Sequence, residues 1–108
     1  MISEITARAL SERLARNEPT VLIDVRQPWE FELGALPGAL LVPLDQLPAR
    51  AHEINVPEGA LLVTVCHHGV RSLHAGVFLA RNGHPKVVSL AGGTDAWSRE
   101  IDPTLARY

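Results

Sequence analysis

Leu61-Leu62-Val63-Thr64-Val65-Cys66-His67-His68-Gly69-Val70-Arg71-Ser72 is the stretch from which the rest of the chain can be read. Its first five residues form a short, nearly continuous run of leucine and β-branched side chains. That is the pattern of a strand covered on both faces, as in a parallel sheet. Gly69 marks a tight loop, and the residues after it predict a helix over 72–82 with Ser72 as its cap. Cys66, the only cysteine of the 108 residues, therefore stands where a buried strand passes through a loop into a helix N-terminus. The thiolate is the nucleophilic form of cysteine. Three features of this loop favour negative charge. A helix start carries about half a positive charge and unpaired N–H groups. Gly69 permits dihedrals that turn successive amides inward as an anion nest. Arg71 adds a fixed charge with a planar fork of donors. A cysteine serving only as a small buried hydrophobe is more at home inside a strand than at its end. Cys66 is thus the expected nucleophile. His67, His68, Gly69, Val70, Arg71 and Ser72 form the expected substrate-binding loop, with the backbone doing the binding and the two histidine side chains directed outward.

Outward from this stretch, helical and strand patterns alternate. A short first strand over 2–5 precedes a helix over 6–16 capped by Thr6, with Ile5 and Leu10 at the positions of a hydrophobic staple. Residues 21–25 repeat the buried-strand pattern. Pro28 opens a short helix, residues 34–38 form a loop with two glycines and a proline, and 39–42 read as a third strand. A weak helical pattern covers 44–54. The helix after Cys66 should bury Leu73, Gly76, Val77 and Ala80, and Asn82-Gly83 stops it. Residues 86–90 form another strand, 91–93 a turn, and Thr94 caps a last helix containing Trp97. This order predicts an α/β domain with a mainly parallel sheet flanked by helices. Ligands bind such sheets beyond the carboxyl ends of the strands. Cys66, residues 24–26, 42–44 and 91–93 all lie at such ends and should converge.

The length allows one domain, 1–108, with a core over about 6–100 and a loosely attached tail over 102–108. Hydrophobic residues at 46% and charged residues at 20% describe a globular chain, not a disordered one. A net charge of −2 leaves no basic footprint, so nucleic acid is not an expected partner. No apolar run approaches the about 18 residues of a membrane helix, and the first residues lack a signal-peptide pattern, so a cytoplasmic location is expected; no long apolar stripe is left over once the core is assigned, so a monomer is expected. A single cysteine excludes an internal disulfide and a C-x-x-C redox pair. No set of His, Cys and Asp has metal-ligand spacing, so neither a metal site nor a cofactor is expected.

At this point the chain resembles the rhodanese family of sulfurtransferases in its small single-domain form. The resemblance runs from about Thr6 to Trp97. It is carried by Asp24-Val25-Arg26 with Glu30-Phe31, by Gly34-Ala35-Leu36-Pro37-Gly38-Ala39, by Cys66 to Ser72, and by Gly83-His84-Pro85, Leu90, Gly92-Gly93 and Trp97. It implies a rhodanese-like fold with a central five-stranded sheet and a two-step reaction. Cys66 takes a sulfane sulfur from a donor such as thiosulfate and becomes a persulfide. Cyanide, a thiol or a partner protein then removes the sulfur, while the loop amides hold the persulfide anion. The family pattern also implies structural roles near the site for Asp24, Arg26 and Glu30, with Arg26 and Glu30 as an ion pair and Asp24 hydrogen-bonded to nearby backbone. One departure is Ala35, where the family commonly has histidine.

Two other readings compete. A cysteine-dependent phosphatase also sets Cys and Arg around an anion, but tyrosine phosphatases place one residue more between them than the four from His67 to Val70 here. The shorter loop makes a cup better suited to sulfur than to a phosphate monoester. A non-catalytic rhodanese-like module that only binds a partner often lacks the cysteine, which is present here.

Overall fold

The computed structural model describes residues 2–108. Five strands, β1 (Ser3–Ile5), β2 (Thr20–Asp24), β3 (Leu40–Leu41), β4 (Leu61–Val65) and β5 (Val88–Leu90), form one sheet in the order β1-β5-β4-β2-β3. Every pairing is parallel, and β2 lies beside β4 over its whole length, from Thr20 opposite Leu61 to Asp24 opposite Val65. The helices are α1 (Ala7–Ala15), α2 (Pro28–Leu33), α3 (Leu47–Arg50), α4 (Val70–Arg81) and α5 (Gly93–Glu100). None of the described helices is long and apolar enough to cross a membrane.

Side chains alternate across β2 and β4, as the period of a strand requires, and divide the core in two. Leu22, Val63, Val65 and Leu90 pack with Leu10 of α1 and with Ala96 and Trp97 of α5. Ile23, Val25, Leu62 and Cys66 pack on the other side with Leu47 of α3 and with Ala75 and Leu79 of α4. Cys66 thereby faces α4, and Asp24 and Arg26 fall on the α5 side with Leu22. Fully burying one side chain of the size of Leu10 or Ile23 (both inaccessible to solvent) stabilises the fold by about 1.5–3 kcal/mol.

Local sequence explains most element boundaries. Thr6 accepts from the Ala9 N–H at 3.0 Å and caps α1. Gln27 and Glu30 form a capping box that starts α2, with Pro28 in its first turn. Several boundaries differ from expectation. Residues 44–54 are not one helix. A 3-10 turn (Leu44–Gln46), α3 and a second 3-10 turn (Ala51–Glu53) follow each other, because Pro48 has no N–H to continue a ladder from the preceding turn. The helix after Cys66 starts at Val70, two residues before the expected cap. Gly69, left-handed at φ 99°, closes the loop and occupies the N-cap position. The helix buries Ser72, Ala75, Gly76 and Leu79; of the expected face Gly76 is buried and Leu73, Val77 and Ala80 are only half-buried. In the same way Gly92, at φ 72°, takes the cap position of α5, and Thr94 lies buried inside the first turn.

The largest correction concerns 102–108, expected to be loosely attached. Leu105 packs into the core beside α5, where its carbonyl accepts from Ser98 Oγ at 2.7 Å. Arg107 pairs with Asp95 at 3.1 Å, and Tyr108 reaches the carboxyl end of the sheet, where its hydroxyl donates to Glu30 at 2.7 Å. A core contact and two polar anchors on separate elements hold the segment; only the first has an apolar signal in the sequence.

Candidate active site

Cys66 leaves β4 with its side chain only 1% exposed. Its Sγ accepts from the backbone N–H of Gly69 at 3.0 Å and of Ser72 at 3.3 Å. The thiol donates to Ser72 Oγ at 3.4 Å, and Ser72 Oγ lies 2.6 Å from Ser89 Oγ on β5. The Ser72–Ser89 pair can reverse its direction. With sulfur anionic, Ser89 donates to Ser72 and Ser72 donates to Sγ. Two amides and one hydroxyl then converge on the sulfur at the start of α4, a set able to hold a thiolate or an anion formed on it. Thr64 Oγ1 donates to the Ser72 carbonyl at 2.7 Å and fixes the first turn of α4 to β4.

The other side of the loop is held by α5. The Thr94 N–H donates to the Cys66 carbonyl at 2.8 Å and the Asp95 N–H to the His67 carbonyl at 3.0 Å. The two carbonyls come so close to Gly93 that a Cβ there would collide with both. The convergence of residues 91–93 with Cys66 thus occurs through backbone, and Gly93 is what permits it.

A chain of charged groups rims the site. Arg71 donates from both terminal nitrogens to Glu30, at 2.7 and 2.9 Å. Glu30 also accepts from the Gln27 N–H at 3.0 Å and from the Tyr108 hydroxyl. The bidentate bond from Arg71, aided by the Gln27 amide and Tyr108, holds the Glu30 carboxyl down at about 2 against the burial that opposes it. The same pairing raises the Arg71 guanidinium further above its already high value. Arg26, fully buried, donates to both Asp24 oxygens at 2.7–3.0 Å, to the Gly34 carbonyl at 2.8 Å and to the Tyr108 oxygen at 3.0 Å. Burial works against its charge, and the bonds to Asp24 and Tyr108 more than offset it. The ion pairs are therefore Arg26–Asp24 and Arg71–Glu30, not the expected Arg26–Glu30; Arg26 reaches Glu30 only through its main-chain carbonyl, at 3.3 Å. Arg26 stands two residues beyond Asp24, the last residue of β2, and its side chain and its N–H both turn back onto that carboxylate. The expected backbone bond of Asp24 is present as well, from the Arg26 N–H at 3.0 Å.

Of the two histidines, His68 is exposed, as expected, with its ring centroid 3.9 Å from that of His67. His67 is not. It is 9% exposed and stacked flat on Tyr108, with ring centroids 3.8 Å apart and 9° between planes. Burial and the neighbouring His68 lower its pKa. Val70 is exposed and contributes no contact to sulfur through its side chain. His67, His68 and Asp95 bring donor atoms within 4.8 Å of one another, a grouping that sequence spacing does not reveal. Both Asp95 oxygens are already engaged by cations, Arg99 at 3.0 Å and Arg107 at 3.1 Å, which disfavours a further cation there. Ser89 and Tyr108 were not singled out by sequence. A serine inside an otherwise apolar strand was an available signal for the first; nothing local pointed to the second.

Three comparisons place this architecture. Residues 6–100 match the rhodanese-like domain family. The chain is 39% identical over 106 residues to a sulfurtransferase of Allochromatium vinosum, covering 98% of this chain and 97% of that protein. It is 30% identical to an adenylyltransferase and sulfurtransferase of Zea mays, where 98% of this chain spans only 24% of the relative. Among solved structures, a rhodanese-like domain protein from Staphylococcus aureus superposes with a TM-score of 0.82 at 32% identity, covering 93% of this chain and 95% of that one. The chain belongs to the rhodanese-like domain family, whose members include sulfurtransferases.

Proposed function

We propose that the chain transfers a sulfane sulfur from a donor such as thiosulfate, through a persulfide on Cys66, to cyanide, a thiol or a partner protein. The observation that carries this reading is the convergence of the Gly69 and Ser72 amides on Cys66 Sγ. In the first step the Cys66 thiolate attacks the outer sulfur of the donor. A sulfur–sulfur bond forms on Cys66, and the donor's own sulfur–sulfur bond breaks with its electron pair leaving on sulfite. In the second step the acceptor nucleophile attacks the outer persulfide sulfur, and Cys66 leaves as the thiolate. No net oxidation is needed, which suits a chain with one cysteine. The loop amides serve both steps, since each begins or ends with anionic sulfur at the same place. Arg71 and the helix start supply the positive field for an anionic donor. A compartment that keeps thiols reduced, such as the cytoplasm, suits this chemistry. The names of the relatives, which speak of sulfurtransferases, support the same reading.

Steady-state assays with thiosulfate as donor and cyanide or a small thiol as acceptor test it, beside an aryl phosphate. Turnover with thiosulfate that vanishes in Cys66→Ala, with no phosphate release, is the expected result. Hydrolysis of the aryl phosphate, or undiminished transfer by Cys66→Ala, would overturn it.

A further inference from the structure

Tyr108 touches Arg26, Glu30, His67 and Trp29 at the rim of the site. Its hydroxyl donates to Glu30 Oε2 at 2.7 Å and accepts from Arg26 at 3.0 Å. Its ring lies flat on His67, the residue after Cys66, and meets the edge of Trp29 with centroids 5.7 Å apart. It remains 40% exposed, so these contacts sit at the mouth of the site and not in the core. The hydroxyl bears on charge. Glu30 is the partner of Arg71, and the proton from Tyr108 takes up part of the Glu30 charge that would otherwise face the mouth and bind Arg71 more completely. The ring bears on shape. His67 has no partner on its buried Nε2, so among the described side chains stacking, and not hydrogen bonding through that atom, holds its ring.

We propose that Tyr108 is a positioning residue of the sulfur-transfer site. Its hydroxyl tempers Glu30 so that Arg71 presents positive charge to an anionic donor, and its ring keeps the His67 end of the Cys66 loop in place. The proposal rests on the reading of Cys66 as the reacting sulfur, but its test does not require sulfur transfer. Cys66 is the only cysteine, so alkylation reports on it alone. Second-order rates with iodoacetate, an anion, and iodoacetamide, its neutral analogue, are compared in the parent, Tyr108→Phe and Tyr108→Ala. The ratio of anionic to neutral rates isolates the field at the mouth.

Loss of the hydroxyl should lower that ratio by about three- to tenfold in both variants, the range of one ordinary hydrogen bond, because its effect reaches the mouth only through Glu30. Only Tyr108→Ala should also change the iodoacetamide rate itself, and Tyr108→Phe should restore that rate because the ring is retained. In turnover with thiosulfate the hydroxyl effect appears in KM. A merely structural tyrosine would lower the melting temperature and shift both alkylation rates together, leaving the ratio unchanged, and that result overturns the proposal. So does a parent whose Cys66 reacts with neither reagent. A parent that alkylates with the predicted ratios but accepts no sulfur upholds this inference and removes the proposed function instead.

Discussion

Replacing Glu30 by glutamine should cost the fold about 2 kcal/mol at neutral pH and flatten its response to acid. The carboxylate is 5% exposed as a side chain and accepts from Arg71 twice, from the Gln27 amide and from Tyr108. Its pKa falls from 4.5 to about 2. At about 1.4 kcal/mol per unit that shift corresponds to about 3 kcal/mol. Arg71 is 35% exposed, so solvent screens part of the pair, and about 2 kcal/mol is the figure to expect. The sign follows from linkage. A carboxylate with a depressed folded-state pKa contributes fully above its unfolded value and loses that contribution as pH falls through the folded one. The stability from Glu30 is therefore complete above about pH 4.5 and lost between there and about pH 2. Urea unfolding of the parent and Glu30→Gln, from neutral pH down to about pH 3, measures both effects. The two curves should stand about 2 kcal/mol apart at neutral pH and approach each other as acid is added. A variant within about 0.5 kcal/mol of the parent at neutral pH, or a gap that stays constant into acid, would refute the assignment of this carboxylate as a charged anchor.

Gly93→Ala should destabilise the protein by about 2–4 kcal/mol in thermal or urea unfolding, since the methyl meets the Cys66 and His67 carbonyls at a left-handed position; an unchanged midpoint would mean that α5 does not hold the loop as described. Ser72→Ala leaves Ser89 buried without its partner, a cost of about 1–3 kcal/mol. The double change Ser72→Ala with Ser89→Ala should be milder than the sum of the singles, and strict additivity would show the two hydroxyls to be uncoupled. Arg71→Ala should weaken thiosulfate use, as the sequence suggests, and also destabilise the fold by about 2–3 kcal/mol because Glu30 stays behind as a buried, partly satisfied charge; retained stability with lost activity would confine Arg71 to substrate binding.

Strands and helices were legible where a short apolar run alternates with an amphipathic one. Leu61 to Val65 and residues 21–25, one residue past β2 at its end, show their burial directly, and Gly69 announces the loop. The position of Cys66 at a strand end, and its meeting with residues 91–93, followed from those patterns and the parallel order of the sheet. What sequence could not give is the partner of each charge. The family pattern implied a pair between Arg26 and Glu30, yet Arg26, two residues beyond the end of β2, folds back onto Asp24. Glu30 then meets Arg71, 41 residues away. Helix starts at Val70 and Gly93 were displaced from Ser72 and Thr94 because a left-handed glycine caps a helix without a side chain, a signal weaker than serine or threonine. The place of Tyr108 depends on Leu105 and Arg107 docking against α5, and no local periodicity records a contact of that kind.

The proposed function depends on Cys66 being able to carry sulfur. Intact mass measurement after incubation with thiosulfate, without reductant and beside Cys66→Ala, tests it most directly. A sulfur-carrying Cys66 gives a gain of one sulfur atom in the parent, none in the variant, and its removal by cyanide or a thiol. A parent whose mass is unchanged by thiosulfate and by a persulfide donor alike, or an equal gain in Cys66→Ala, would contradict it.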